Sequence, residues 1–210
     1  MLPDFSFEKK LYRQGYRLIA GVDEVGRGCF AGPVVAGCVI LDEKRQDPPP
    51  IINDSKLLSP KRREIADKWI RKNAVAFGIG QASVSQINRL GIKKATEIAF
   101  RKAIKNCEIQ IDYLLIDAFY IPYVRRLGGD RQKAIVKGDT KSLSIAGASI
   151  VAKVYRDKLM TSLSKKSKYK KYKWGKNKGY GTKEHQKMIR KYGISNLHRK
   201  TFVRTWLSKA

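Results

Sequence analysis

RLIAGVDEVGRGCFAGPVVAGCVIL, residues 17–41, contains two short apolar runs separated by a glycine-rich break. The runs RLIAGV (17–22) and PVVAGCVIL (33–41) are rich in branched side chains, which predicts two consecutive strands close enough to pair antiparallel. Asp23 and Glu24 follow the first run directly. A carboxylate pair at the end of an apolar strand is costly unless the strand stops there or a cation compensates it. Side chains alternate faces along a strand, so two adjacent acids serve one site only where the chain begins to turn. Gly26 and Gly28 supply that turn.

The flanking sequence extends this into an α/β pattern. VAFGIGQAS (75–83) predicts a third strand, and PKRREIADKWIRK predicts a helix opening at Ser59 or Pro60, with proline in its first turn. A second helix is expected over 92–106 after Gly91, a buried strand at YLLI (113–116), and a short edge strand at 134–136. A long helix is expected over 142–164, with Ile145, Ala148, Val151 or Ala152, and Tyr155 at core spacing. Strands alternating with helices predict an α/β sandwich with a mixed sheet, and there are no internal repeats. After residue 164 the composition changes. KKSKYKKYKWGKNK (165–178) packs eight lysines and three aromatics into fourteen residues and reads as too polar for a core. The last thirty residues, with Met188, Ile189, Tyr192, Phe202, Val203 and Trp206, read as two short helices closing over the main domain.

Composition narrows the function classes. A chain of 210 residues suits one domain with a helical extension. No apolar run approaches the ~18–20 residues of a membrane span. MLPDFSFEKK also lacks the basic-then-apolar order of a secretion signal, so a cytoplasmic protein is expected. Cys29, Cys38 and Cys107 are too scattered for a zinc site and read as reduced core thiols. With only His185 and His198 present, a metal would have to be held by carboxylates, which favours a hard ion such as magnesium. The net charge of +27 and pI near 10.2 point to a polyanionic partner, nucleic acid first. Residues 165–178 carry less than a third of that excess, so it is not a property of one tail.

Two further acids stand at the ends of predicted elements: Asp117 closes YLLID, and Asp139 sits in KGDTKS between the edge strand and the long helix. Four carboxylates on one rim would repel unless divalent ions joined them, and two magnesium ions ~4 Å apart would form a phosphodiester-cleaving centre. The ordinary alternatives are an N-cap for Asp139 and a strand-end turn for Asp117. No solvated role suggests itself for the Asp23–Glu24 pair. Glu64, Glu97 and Asp157 lie in helical patterns as surface or pairing charges.

GVDEVGRGCFAGPVVAGCVIL and KGDTKSLSIAGASIVAKVYRD resemble the two hallmark blocks of the ribonuclease HII family. DSKLLSPKRRE (54–64), LLIDAF (114–119) and NKGYGTKEH (177–185) match further family segments in the same order, so the resemblance covers about residues 18–185. It implies a ribonuclease H-like fold with a mixed five-stranded sheet flanked by helices and a small C-terminal helical extension. The catalytic domain would be residues 1–164, and residues 165–210 would complete the substrate groove. It implies Asp23, Glu24, Asp117 and Asp139 as catalytic acids, the first three as ligands of Mg2+ or Mn2+. The implied reaction is cleavage of the RNA strand of RNA–DNA hybrids and nicking 5′ of single ribonucleotides in duplex DNA, leaving 5′-phosphate and 3′-hydroxyl ends. Gly26, Arg27 and Gly28 would read a 2′-hydroxyl, Lys56 would meet phosphate, and Tyr180 would stack on the nucleotide after the ribonucleotide. A monomer is expected.

Three features depart from the family pattern. Cys29 stands where proline is common, Leu57 where a second lysine is common, and the 117–139 interval is long. The related ribonuclease HIII branch typically has lysine in place of Arg27 and an extra N-terminal domain. A basic, non-catalytic RNA-binding protein would explain the charge but not four acids at strand ends.

Overall fold

A computed structural model describes residues 2–42 and 52–208. In chain order the elements are α1 (Ser6–Arg13), β1 (Ile19–Val25), β2 (Val34–Ile40), α2 (Pro60–Asn73), β3 (Ala76–Ala82), α3 (Val84–Lys105), β4 (Tyr113–Asp117), β5 (Gln132–Ile135), α4 (Leu143–Lys165), α5 (Ser167–Lys170), α6 (Trp174–Asn177), α7 (Lys183–Tyr192) and α8 (Lys200–Leu207). The strands form one mixed sheet in the order β3-β2-β1-β4-β5, with β1–β2 and β2–β3 antiparallel and β1–β4 and β4–β5 parallel. This is the expected five-stranded sheet, with β5 at its edge.

Strand alternation sorts the apolar residues into two layers. Ala20, Val22, Val34, Ala36, Cys38 and Ile40 pack with Ala95, Ala99, Phe100 and Ala103 of α3. On the other face, Val39 packs with Ala146, Ala148 and Val151 of α4 and Ile70 of α2. Gly21 and Gly37 let α4 lie against the sheet, because a Cβ at either would collide with the helix backbone at Ser144 or Ala148. α4 is therefore pressed closely onto β1, the strand that carries Asp23 and Glu24.

Element ends follow their caps. Ser59 caps α2, accepting from the Arg62 amide at 3.3 Å, with Pro60 in the first turn as expected. α3 begins earlier than its apolar pattern predicted: Ser83 and Gln86 form a capping box before the backbone breaks at Gly91 (φ 78°, ψ 163°).

The largest departure is residues 165–178. They are not merely a polar surface run, because Tyr169, Tyr172 and Trp174 are buried and pack with Ala31 and Met160. Trp174 stacks on Tyr169 and Tyr172 at centroid separations of 5.1 and 5.4 Å. The lysines between them point outward while the aromatics form a small second core.

Candidate active site

The parallel register pairs Val22 with Ile116, so Asp23 and Asp117, one residue on, stand side by side where the pairing of β1 and β4 ends. Asp139 reaches the same rim from the turn Gly138–Thr140, just before α4. One carboxylate oxygen from each of the three can lie within 4.8 Å of the others. β1 runs on through Val25, so Glu24 falls on the opposite strand face from Asp23 instead of sharing it through a turn. Glu24 nevertheless remains electrostatically coupled to Asp117 and meets Arg27 at 3.6 Å.

The N-cap alternative does not hold for Asp139. Ser142, not Asp139, caps α4, its hydroxyl accepting from the Ile145 amide at 3.3 Å. Asp139 is buried and paired instead with the exposed Lys56 ammonium at 3.2 Å. Asp117 accepts one bond, from the Gly138 amide at 2.8 Å, and Ala118 immediately after it is held at φ 56°. A non-glycine residue in that region is a strained turn of the kind that gathers at functional sites.

The electrostatics are those of an undercompensated anionic cluster. Burial, together with the neighbouring charges of Glu24 and Asp117, pushes Asp23 well above the usual carboxylate range, while a hydrogen bond from Ser149 opposes the shift. Ser149 is in turn hydroxyl-paired with buried Ser55 at 2.9 Å. Burial raises Glu24 to about 7 despite Arg27. Burial also raises Asp117, partly offset by the Gly138 amide. Burial alone would lower Lys56, but Asp139 and its acidic neighbours outweigh it and raise it.

The donor set fits a hard divalent cation. All ligating atoms are carboxylate oxygens, and buried Glu24 Oε2 has no hydrogen-bond partner among the described residues.

The glycine turn and Tyr180 lie beside each other. Gly26 is at φ 89° with the Arg156 guanidinium directly beneath it, and an added Cβ at exposed Gly28 would meet nothing within 4 Å. The Arg27 guanidinium lies 4.2 Å from the Phe119 ring centroid. The Gly179 carbonyl accepts from the Phe30 and Ala31 amides at 2.8 and 3.1 Å, joining the Tyr180 loop to the chain after the turn. Tyr180 is itself exposed, with Lys153 and Arg156 near its ring.

Sequence inspection missed several supports. Buried Glu8 accepts from Ser142 Oγ at 2.7 Å and the Ser144 amide at 3.1 Å, tying α1 to the start of α4. Buried Ser55 and Ser149 pair with each other, and His185 and His198 meet each other at 3.1 Å in the second core. Only the serines lay in recognisable motifs near the acids; nothing in a short amphipathic helix marks Glu8 as buried.

A five-stranded mixed sheet whose central strands bring three carboxylates together, in a chain of net charge +27, fits a phosphodiester hydrolase that acts on nucleic acid. The Ribonuclease HII family model matches residues 20–208, and the chain belongs to the ribonuclease HII family of endoribonucleases. It is 45% identical over 204 residues to Ribonuclease HII of Caldicellulosiruptor bescii, covering 97% of this chain and 95% of that one. Its fold is similar to ribonuclease H2 from Pyrococcus horikoshii OT3 (TM-score 0.69, 22% identity, 92% of this chain and 98% of that one). It is also similar to Bst-RNase HIII in complex with Mn2+ (TM-score 0.67, 19% identity, 95% and 72%). At these identities the structural matches speak for the fold, while the family match favours the HII over the HIII branch. No described helix is long and apolar enough to cross a membrane.

Proposed function

We propose that this endoribonuclease hydrolyses the RNA strand of RNA–DNA hybrids and nicks duplex DNA 5′ of a single embedded ribonucleotide, leaving 5′-phosphate and 3′-hydroxyl ends. The observation that carries the proposal is the convergence of Asp23, Asp117 and Asp139, with Glu24 Oε2 nearby and without a partner among the described residues, beside a glycine turn open to solvent at Gly28. Asp23, Glu24, Asp117 and Asp139 would hold Mg2+ or Mn2+. Bound there, a pair of such ions would lower the pKa of an attacking water and stabilise the departing 3′ oxygen.

The chain's own residues do the rest. The Glu24 amide, donating to Asp23 Oδ1 at 2.7 Å, and the Gly138 amide orient Asp23 and Asp117, so the acids are fixed before substrate arrives. Lys56, tethered to Asp139 yet largely exposed, would meet a backbone phosphate. Backbone groups of Gly26, Arg27 and Gly28 would read a 2′-hydroxyl, where the missing side chain of Gly28 leaves room for a sugar. Tyr180 would stack on the following nucleotide.

The test is incubation with a duplex containing one ribonucleotide, beside an all-DNA duplex, with EDTA, magnesium or manganese. Metal-dependent nicking 5′ of the ribonucleotide is expected. Equal cutting of all-DNA duplex would refute the 2′-hydroxyl reading.

A further inference from the structure

Two arginines lie under the glycine turn, fully buried and without a carboxylate partner among the described residues. A buried guanidinium is costly unless its donors are satisfied, and here the satisfaction is entirely by main-chain carbonyls. Arg156 donates from Nε to Pro33 O at 3.0 Å, from Nη2 to Ala31 O at 3.1 Å and from Nη1 to Lys178 O at 2.9 Å. Arg199 donates from Nε and Nη2 to Gly32 O at 3.0 and 2.9 Å, and from Nη1 to Arg27 O at 2.6 Å. Burial pushes Arg199 down to about 10, a measure of how far its charge is removed from water.

The bond to Arg27 O differs from the others. Two donors already fasten Arg199 to Gly32, and the backbone around it is separately tied: the Arg199 amide donates to Phe30 O at 2.7 Å, and the Gly32 amide to Leu197 O at 2.9 Å. The Arg27 bond alone reaches the turn itself. The Arg27 carbonyl and the Gly28 amide belong to one planar trans peptide, so fixing the oxygen fixes the direction of the N–H. That N–H has no acceptor among the described residues, and Gly28 is exposed.

We propose that Arg199, at the start of α8 and outside every motif that marks the active site, is a positioning residue for 2′-hydroxyl discrimination. By holding the Arg27 carbonyl it sets the peptide plane that faces the sugar, making the C-terminal helix part of the substrate-reading device. The inference rests on the proposed reading of ribonucleotides by residues 26–28.

The test compares kcat and KM on the single-ribonucleotide duplex and on all-DNA duplex for the full-length wild type, R199K and V203A. V203A is the structural control: Val203 is buried on the same helix and borders a cavity with Ile189 and Leu207, so truncating it loosens α8 while the Phe202 ring stays on the Arg199 guanidinium at 5.3 Å. R199K should reduce the preference for the ribonucleotide about 10- to 100-fold through kcat, the size of one charged hydrogen bond, with KM nearly unchanged. V203A at matched thermal stability should keep the preference. R199K with wild-type preference, or V203A losing as much as R199K, overturns the proposal. A wild type without preference overturns the substrate reading as well, which separates the two failures. Should R199K not fold, the Arg199 Nη resonances of the unaltered chain decide: in EDTA they should shift on adding the ribonucleotide duplex but not all-DNA duplex, and identical responses overturn the proposal.

Discussion

The acidic rim and the aromatic–histidine cluster behind it are both buried polar assemblies, but they treat polarity in opposite ways. In the cluster every ring nitrogen has a hydrogen-bond partner. The Ser195 amide donates to His198 Nδ1 at 2.8 Å, which places the His198 proton on Nε2, facing His185 Nε2 at 3.1 Å. His185 Nε2 also accepts from Trp174 Nε1 at 3.1 Å, so its own proton sits on Nδ1 and goes to Tyr180 O at 2.8 Å. At the rim, by contrast, like charges are buried together and Glu24 Oε2 has no partner among the described residues. Satisfied polarity fixes a structure, whereas unsatisfied polarity is retained where a ligand supplies what is missing.

The largest effect should come from removing charge at the rim. D23N and D117N should each lower cleavage on the order of a thousandfold or more. D23N should leave the metal-free melting temperature unchanged or higher, because it relieves buried repulsion. Single-turnover nicking and thermal melts measure the two sides. Near-normal turnover in either variant would dissolve the contrast, since the rim would then be structural.

In the cluster the pattern should reverse. H198A strands the Ser195 amide and opens a cavity beside Tyr172, costing about 2–4 kcal/mol in urea denaturation. Its kcat per folded molecule should stay within a few-fold of wild type. Lost activity at full stability would move the histidines into the reaction.

The two regions should also carry opposite pH signatures. Burial lowers His198 to about 3 and lowers His185 as well, so both are neutral in the fold. The unfolded chain takes up their protons first, and the stability they allow is lost as pH falls from about 6.5, by up to about 1.4 kcal/mol per pH unit for each. Glu24, raised from 4.5 to about 7, holds its proton longer in the fold, so its contribution is lost as pH rises through that interval. In EDTA, E24Q should therefore make stability rise more steeply with pH between 4.5 and 7, and H198A should flatten it. Denaturation curves across that range that move the other way would contradict the assigned environments.

How legible each region was in the sequence follows from the same contrast. The rim was legible because acids at the ends of apolar runs violate the local pattern: Asp23, Asp117 and Asp139 stand out against LIAGV, YLLI and the helix that follows KGD. The five strands and the long helix were legible from periodicity, apart from ends set by caps such as Ser83. The extension of β1 through Val25 was not, because two acids after LIAGV break the apolar pattern and read as the end of the strand. The second core was hidden because its aromatics alternate with lysines, and its partners, Ala31, Met160, His185 and His198, are distant in sequence. Arg199 is one of 45 Lys and Arg, and its burial depends on carbonyls that no sequence pattern displays.

The smallest expected effect belongs to the lysines around that hidden core. With Tyr169, Tyr172 and Trp174 turned inward, only the charges of residues 165–178 remain to meet a duplex, and not all of them equally. Lys178 is committed to Thr161 Oγ1 and the Gly175 carbonyl at 2.6 Å each, and Lys173 is paired with Glu184 at 2.8 Å. Lys165, Lys166, Lys168 and Lys170 are exposed along the end of α4 and on α5. Lysine–phosphate pairing holds ground state and transition state alike, so replacing these four with alanine should raise KM several-fold while leaving kcat nearly unchanged. Each phosphate left unneutralised should also reduce the slope of log K against log salt by about 0.9. Because the aromatic core is untouched, thermal stability should hold within about 0.5 kcal/mol, which separates a binding effect from unfolding. An unchanged slope and KM would assign these lysines to solvation alone, leaving the second core without a surface that reaches the substrate.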